Sequence, residues 1–582
     1  MVKEHGKETV KETGANAAIY YDPDAYDTTR PRLMGRHAAG EGFLKGFAAH
    51  AAVDRLVCYA RSRTAGDDFA RRVARLAGCE RPCRWIPFVD LAALAEPGCL
   101  FMPGPGIDRP AWQRRHVGGD AYSLCGVTHT IASQRLMDVI GALLIAPLQP
   151  WDALICTSRA VRDAVEHVLG QWGAYLEERF GAAARPAPRL PVIPLGVDCD
   201  ALAPATPAAQ AARAKLRRAH GIDDGDVAVL FVGRLSFHAK AHPAPMYLAL
   251  EEAARRGAAR IHLVQAGWFA NESIERDFKE AARACCPSVR AVFLDGRQPE
   301  VRAGVWFAAD AFTSLSDNIQ ETFGLAPVEA MAAGLPVVVS DWNGYRDTVR
   351  SGVDGFTVPT VMPPPGLGGD LALRHDLGVD SYDFYIGAAS QCVGVDIAAA
   401  AAAYARLAGD PGLRRTMGAA GRRRAEERFD WRVVIAAYQE LWRELGERRR
   451  AGGESAPRRA PAPADPLRDD PFALFAGYPS RLIALDAVIS PAPGGDAAAR
   501  LARLCRLRMN TFAAELLASG DERDAVLRHL ADTGPCAVRD LLALFPGARA
   551  GRVHRTLGWL AKYGLVRIDA PVVRRDGGGE SR

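Results

Sequence analysis

Short apolar runs, each followed by a helical stretch, recur through the first three quarters of this 582-residue chain. The clearest is LPVVV at 335–339, which is continuous rather than alternating and lies between Gly334 and the polar SDWNGYRD. A continuous run marks a strand covered on both faces, and covering both faces takes helices on either side of a parallel sheet. The first part repeats the pattern at 17–21, 55–60, 98–103, 124–129, 151–157 and 190–194. The second part repeats it at 227–233, 260–267, 289–296 and 311–315. Strand alternating with helix predicts a doubly wound α/β architecture, which binds ligands at the carboxyl ends of its strands.

At 582 residues the chain exceeds one core, so three or four domains are expected. An apolar content of 49% with 24% charged residues is that of a soluble globular protein. Heavy use of Ala, Arg and Gly resembles GC-rich bacterial coding. A net charge of +5 is too small to imply nucleic acid or anionic membrane by itself. The twelve cysteines are scattered, complete no zinc pattern and suggest buried thiols in a reducing compartment. The N-terminal MVKEHGKETVKETGANA has no apolar core and does not read as a signal peptide. The longest apolar stretch, VIGALLIAPL at 139–148, is too short to span a bilayer. These features predict a cytoplasmic protein and leave peripheral contact with the inner membrane surface open.

The stretch at 314–347 carries the strongest chemical signal. Glu321 and Glu329 stand eight apart, which on one helix puts both carboxylates on nearly the same face. Thr322, Phe323, Gly324 and Leu325 fall at the expected helix start, where unpaired backbone N–H groups and the dipole favour an anion. Such an arrangement suits a ligand with hydroxyls at both ends and phosphate in the middle, as in a nucleotide sugar. The spacing alone equally fits an amphipathic helix with two solvated glutamates. Arg234 follows Gly233 at a strand end and Lys240 lies six residues on, so two cations could neutralise a diphosphate there. Gly35, Gly40 and Gly42 punctuate a loop after the first strand, with a helix expected from about Phe43. Gly40, Glu41 and Gly42, with His37, are candidate contacts to substrate, although glycines in a long loop also serve as plain turns. His129 sits at a strand end, where a histidine is structural or functional. The DPD at 22–24 is assigned to a turn, a helix is expected from about Ser133, and the Pro/Ala-rich run before Ala219 is read as a loop.

ETFGLAPVEAMAAGLPVV, residues 321–338, resembles the Glu-x7-Glu signature of retaining, nucleotide-sugar-dependent glycosyltransferases of family 4, the glycosyl transferases group 1 type. VIPLGVDCDAL at 192–202, the Gly233-Arg234 loop with Lys240 and the FDW-led helix at 429–431 add to the resemblance, which covers about 17–447. In the family's usual form the Lys lies five residues after the Arg, so this loop carries one extra residue. The resemblance implies the GT-B arrangement of two facing Rossmann-like domains. The acceptor-side domain would span 17–195 and the donor-binding domain 196–429, the latter with a Pro/Gly-rich insertion at 361–391 read as a cleft-edge or interface loop. A helix at 430–446 would cross back to the first domain, after 1–16 expected as disordered.

The same resemblance implies transfer of a sugar from a nucleotide diphosphate sugar to an acceptor hydroxyl with retention of configuration, and neither cofactor nor metal. Glu321 would contact the donor sugar, His129 would position it, and Arg234 and Lys240 would stabilise the departing diphosphate. Glu329 would accept from ribose hydroxyls, Asp317 and Asn318 would touch sugar hydroxyls, and GRQPE at 296–300 would lie by the base. The acceptor, whether glycan, lipid-linked or small molecule, is not legible. Rival readings are a phosphorylase or epimerase on the same scaffold, and a non-catalytic nucleotide-sugar sensor.

A Pro/Ala/Arg-rich linker is expected at 447–470, and a mainly helical, winged-helix-like tail at 471–582. The tail's third helix would carry Arg549, Arg552, Arg555 and Lys562. Its 521–582 portion holds 11 Arg and Lys against 8 Asp and Glu. A balance this even argues against nucleic acid and favours a protein partner or self-association.

Overall fold

A computed structural model of the chain describes residues 14–28, 35–181, 188–257, 259–459 and 461–570. The chain forms two compact units, Met1–Ala464 and Asp465–Arg582. The first unit holds two six-stranded parallel sheets. One comprises β1 Ala18–Tyr20, β2 Leu56–Ala60, β3 Cys83–Pro87, β4 Cys99–Phe101, β5 Ser123–Val127 and β6 Ala153–Ile155, in the order β3-β2-β1-β4-β5-β6. The other comprises β7 Val227–Val232, β8 Ile261–Gly267, β9 Arg290–Asp295, β10 Ala311–Ser314, β11 Val337–Ser340 and β12 Gly355–Val358, in the order β12-β11-β10-β7-β8-β9. The winding is the same in both, with the order reversing between β1 and β4 and between β7 and β10. Crevices outside the strand ends open at such reversals.

All four residues of β11 are buried, as its continuous apolar run predicts. β3 was not legible because CRWIP has only Ile86 fully buried and sits at the sheet edge. Residues 190–194, expected as a strand, make one isolated bridge, Val192 to Cys156, just past the end of β6.

The helix Trp431–Ala451 runs five residues past 446. Its Trp431, Val434, Ile435, Tyr438, Leu441, Trp442 and Leu445 join the core of the first domain. That spacing of three and four is one helix face. The two passages of backbone between the domains lie side by side: Val197 N–H donates to Phe429 at 2.7 Å and Trp431 N–H donates to Val197 at 3.1 Å. Trp431 fits a socket of glycines, because a Cβ on Gly42, Gly46 or Gly196 would fall 3.1, 2.7 or 2.4 Å from its ring.

Several expectations change. Residues 207–219 are a helix, not a loop: Thr206 caps it and Pro207 occupies its first turn, where a missing N–H costs nothing. The insertion is a folded hairpin, not a loop. Its base is a two-stranded ribbon, β13 Thr360–Val361 with β14 Gly394–Val395, and its body is two helices, Gly369–Asp376 and Tyr382–Gln391. Of the expected disordered N-terminus, 1–13 lie outside the described residues, while Gly14–Asn16 are pinned by bonds to Ala52, Gln439 and Arg55.

The second unit has a core of its own, built on Ile489, Leu501, Val526, Leu530, Leu541, Val553, Leu557 and Leu560. Helices Gly520–Thr533, Val538–Leu542 and Ala548–Lys562 accompany an antiparallel sheet of β15 Val488–Pro491, β16 Cys536–Ala537 and β17 Val566–Asp569. The central strand, β15, precedes the three helices in the chain. Arg549 is paired with Glu522 at 2.7 Å, which spends one of the four cations of the third helix internally. Among the described residues no helix is long and apolar enough to cross a membrane.

Candidate active site

A cavity of about 1200 Å³ lies between the two sheets of the first unit, lined from both domains. The second domain contributes Gly233, Arg234, Lys240, Glu321 to Leu325 and Glu329, and the first domain contributes His129 with its neighbours Thr128 and Thr130.

The signature helix starts later than its sequence suggests. It spans Leu325–Ala332, so Glu329 is helical while Glu321 lies in the loop before it. The carboxylates reach one cavity through a turn, not through helical periodicity. Gly324 makes that turn at φ +90°, and a Cβ there would fall 2.1 Å from the Tyr345 ring. Both the backbone conformation and the space demand glycine. Phe323 turns its side chain into the core against Phe429, tying the signature to the hinge.

Glu321 is ion-paired with Lys240. Burial alone would raise its carboxyl, but the Lys240 ammonium and the N–H groups of Thr322 and Gly324 hold it below the ordinary carboxylate range. Glu329 has no such help, and burial pushes its carboxyl up to about 7. The two carboxyls are therefore shifted in opposite directions. Arg234 donates to the Ala239 carbonyl at 2.9 Å and to Gln320 at 3.3 Å, and burial lowers its pKa. His129 Nε2 lies 3.0 Å from the Pro103 carbonyl, which fixes the ring beyond the end of β5.

Other expected contacts move away. Gly40, Glu41 and Gly42 lie inside the helix Gly35–His50, which begins well before Phe43, and none of the three lines the cavity. Gly40 packs on the Ala25 carbonyl, Gly42 on Trp431, and Glu41 accepts from Thr28 Oγ1 at 2.7 Å. The expected glycine loop is thus helix from Gly35 on, and 29–34 lie outside the described residues. His37 is buried in the same helix. Asp317 is also buried and off the cavity. Its carboxylate accepts from His242 N–H, with Oδ1 at 3.3 Å, and burial pushes it up to about 7. Asn318 is fully buried and donates to the His238 carbonyl at 2.9 Å.

Asp22 and Asp24 do form a turn, and they line the cavity as well. Arg297, from the 296–300 segment expected beside the base, joins them there, as do Arg135, Asp198, Trp268 and Arg302, which the sequence did not single out. Position after a strand was the available signal for Trp268, which follows β8. Three contacts hold the domains together around the cavity. Lys45 pairs with Asp198 at 2.6 Å, Ser158 Oγ donates to the Thr322 carbonyl at 2.8 Å, and Arg159 binds Asp347 through its backbone N–H and Nε.

Two Rossmann-like domains facing across a cleft are the GT-B fold. Residues 212–363 match the family model of glycosyl transferases group 1. It is 28% identical over 302 residues to the D-inositol 3-phosphate glycosyltransferase of Xylanimonas cellulosilytica, covering 52% of this chain and 58% of that protein. It is 34% identical over 191 residues to the protein of the same name from Geodermatophilus obscurus, covering 31% of this chain and 39% of that one. The chain thus spans less than two thirds of the length of either relative. Among solved structures, Anabaena Alr3699/HepE in complex with UDP is similar at a TM-score of 0.48 and 16% identity, covering 74% of this chain and 100% of that one. Sucrose-phosphate synthase from Thermosynechococcus elongatus gives 0.44 and 18%, covering 75% and 96%.

Proposed function

We propose that the chain transfers a sugar from a nucleotide diphosphate sugar to an acceptor hydroxyl, with retention of anomeric configuration. The observation that carries this reading is the convergence in one cavity of two cations, two carboxyls and the turn at 322–325, opposite His129. The bond broken joins the anomeric carbon to the β-phosphate oxygen, and the leaving group is a nucleoside diphosphate. Arg234, Lys240 and the N–H groups of 322–325 stabilise the charge that grows on it. Lys240 already holds Glu321, and an ammonium with three donors can serve a phosphate oxygen as well. Departure and attack occur on one face, so the leaving phosphate accepts the acceptor's proton and no protein nucleophile is used. Glu321 contacts the donor sugar, His129 orients it, and Glu329 accepts from the ribose hydroxyls. With two cations at the diphosphate, the reading requires neither metal nor cofactor.

A panel of nucleotide sugars tests the reading. At least one should raise the melting temperature and release nucleoside diphosphate slowly without acceptor, and the product's anomeric proton coupling should match the donor's. No thermal shift with any donor would sink it.

A further inference from the structure

The hairpin at 360–395 is fastened to itself before it touches anything else. Arg374 binds Asp380 through two hydrogen bonds of 2.8 Å, and His375 stacks on Tyr385 at 4.7 Å. Its second helix then packs on the loop that carries Arg234 and Lys240. Gly387 lies so close to that loop that a Cβ would come 2.9 Å from the His238 Cβ. Asn318 donates both to the His238 carbonyl at 2.9 Å and to the Ile386 carbonyl at 3.5 Å. Asp383 and Tyr382 stand near enough to Arg234 to offset in part the cost of burying its charge.

The same helix reaches the other domain. Tyr382 Oη lies 3.5 Å from Thr130 Oγ1, one residue beyond His129. Ala132 of the acceptor side, Ala239 of the cation loop and Ile386 of the hairpin form one small apolar cluster, with Ile386 fully buried. A packed cluster transmits displacement because it has no slack. Resting on the glycosyl-transfer reading, we propose that this hairpin is a positioning strap that sets the Arg234–Lys240 loop in register with the His129–Ala132 segment across the cleft. Long inserted segments in compact domains commonly carry such work. Tyr382, Ile386 and Gly387 are positioning residues in this scheme, acting through the two loops they hold.

The ribbon suggests the decisive variant. Val361 pairs with Gly394, so residues 362–393 can be replaced by Asn-Gly, a two-residue hairpin turn. In the full chain, hydrogen exchange at 234–242 should then speed up by about tenfold or more. UDP or GDP, whichever the unaltered chain binds, should bind about tenfold more weakly. Gly387→Val should speed exchange at 234–242, and Tyr382→Phe at 128–133. Each should lower kcat for donor hydrolysis about tenfold with the melting temperature little changed, whereas a merely structural role would lower the melting temperature and spare kcat. Exchange within twofold of the unaltered chain in all variants that fold would overturn the strap. If neither UDP nor GDP binds the unaltered chain, the glycosyl-transfer reading fails, and the exchange data still decide the strap.

Discussion

The Glu329 carboxyl, held at about 7 by burial against an ordinary 4.5, makes free-protein stability depend on pH in a definite direction. Below 4.5 the group is protonated whether the chain is folded or not. Between 4.5 and 7 the unfolded chain ionises first, so stability falls as pH rises and levels off above 7. The difference corresponds to at most about 3 kcal/mol. Glu329→Gln should therefore be more stable than the natural chain at pH 8, by about 1–3 kcal/mol, and nearly equal at pH 4.5, in urea denaturation at both pH values. The same variant should bind donor more weakly, since a carboxylate accepts from hydroxyls with both oxygens and an amide with one. Arg234→Ala should leave stability nearly unchanged and lower kcat/KM for the donor by about 10²–10³, the range found for removing one preorganised charge-stabilising group. Gly324→Ala should lower both the melting temperature and donor affinity, because the new methyl meets Tyr345, whose hydroxyl is held by Ser314 at 2.8 Å.

At the level of elements, the parallel strands were legible because burial on both faces leaves an unbroken apolar run. Periodicity lost its value where turns intervene. Glu321 and Glu329 look like one helical face, yet a left-handed glycine separates them, and only the folded loop brings both to the cavity. Gly40 and Gly42 invited a loop reading because glycine is favoured in turns. Here they are small for another reason, close approach to Ala25 and Trp431 within a helix, which a sequence shows only once the crossing helix is placed. Asp317 looked like a sugar contact by its place beside the signature, but its partner is the His242 N–H at the start of the helix Pro243–Arg256. Some anchors gave no sequence signal at all. Arg114 and Asp152 are fully buried, joined by two bonds of 2.7 Å, and Asp152 also accepts from Leu124 and Gln149 N–H. Removing one partner strands a buried charge, so Asp152→Ala should cost about 3–5 kcal/mol in denaturant unfolding.

For the molecule as a whole, the second unit's separate core predicts that a chain ending at Ala464 folds on its own. It should keep a cooperative thermal transition and donor hydrolysis within about threefold of the full chain, since every proposed site residue lies before Ala464. Exhaustive treatment with EDTA should likewise leave donor hydrolysis within about twofold, because the proposed charge stabilisation comes from Arg234, Lys240 and backbone. A large loss restored by one divalent cation would contradict that assignment.

The paired backbone passages at Val197 and Asp430 have a mechanical consequence. A single connecting strand would act as a ball joint, free to swing and twist. Two strands held edge to edge by hydrogen bonds behave as a door hinge, with one easy axis running along the pair. Sliding one domain past the other would have to break the bonds at Val197 and lever the Trp431 indole out of its socket, whereas rotation about the pair needs neither. Motion of the first unit should therefore reduce to a single angle, and every residue on the two cleft walls should approach or withdraw in step with it.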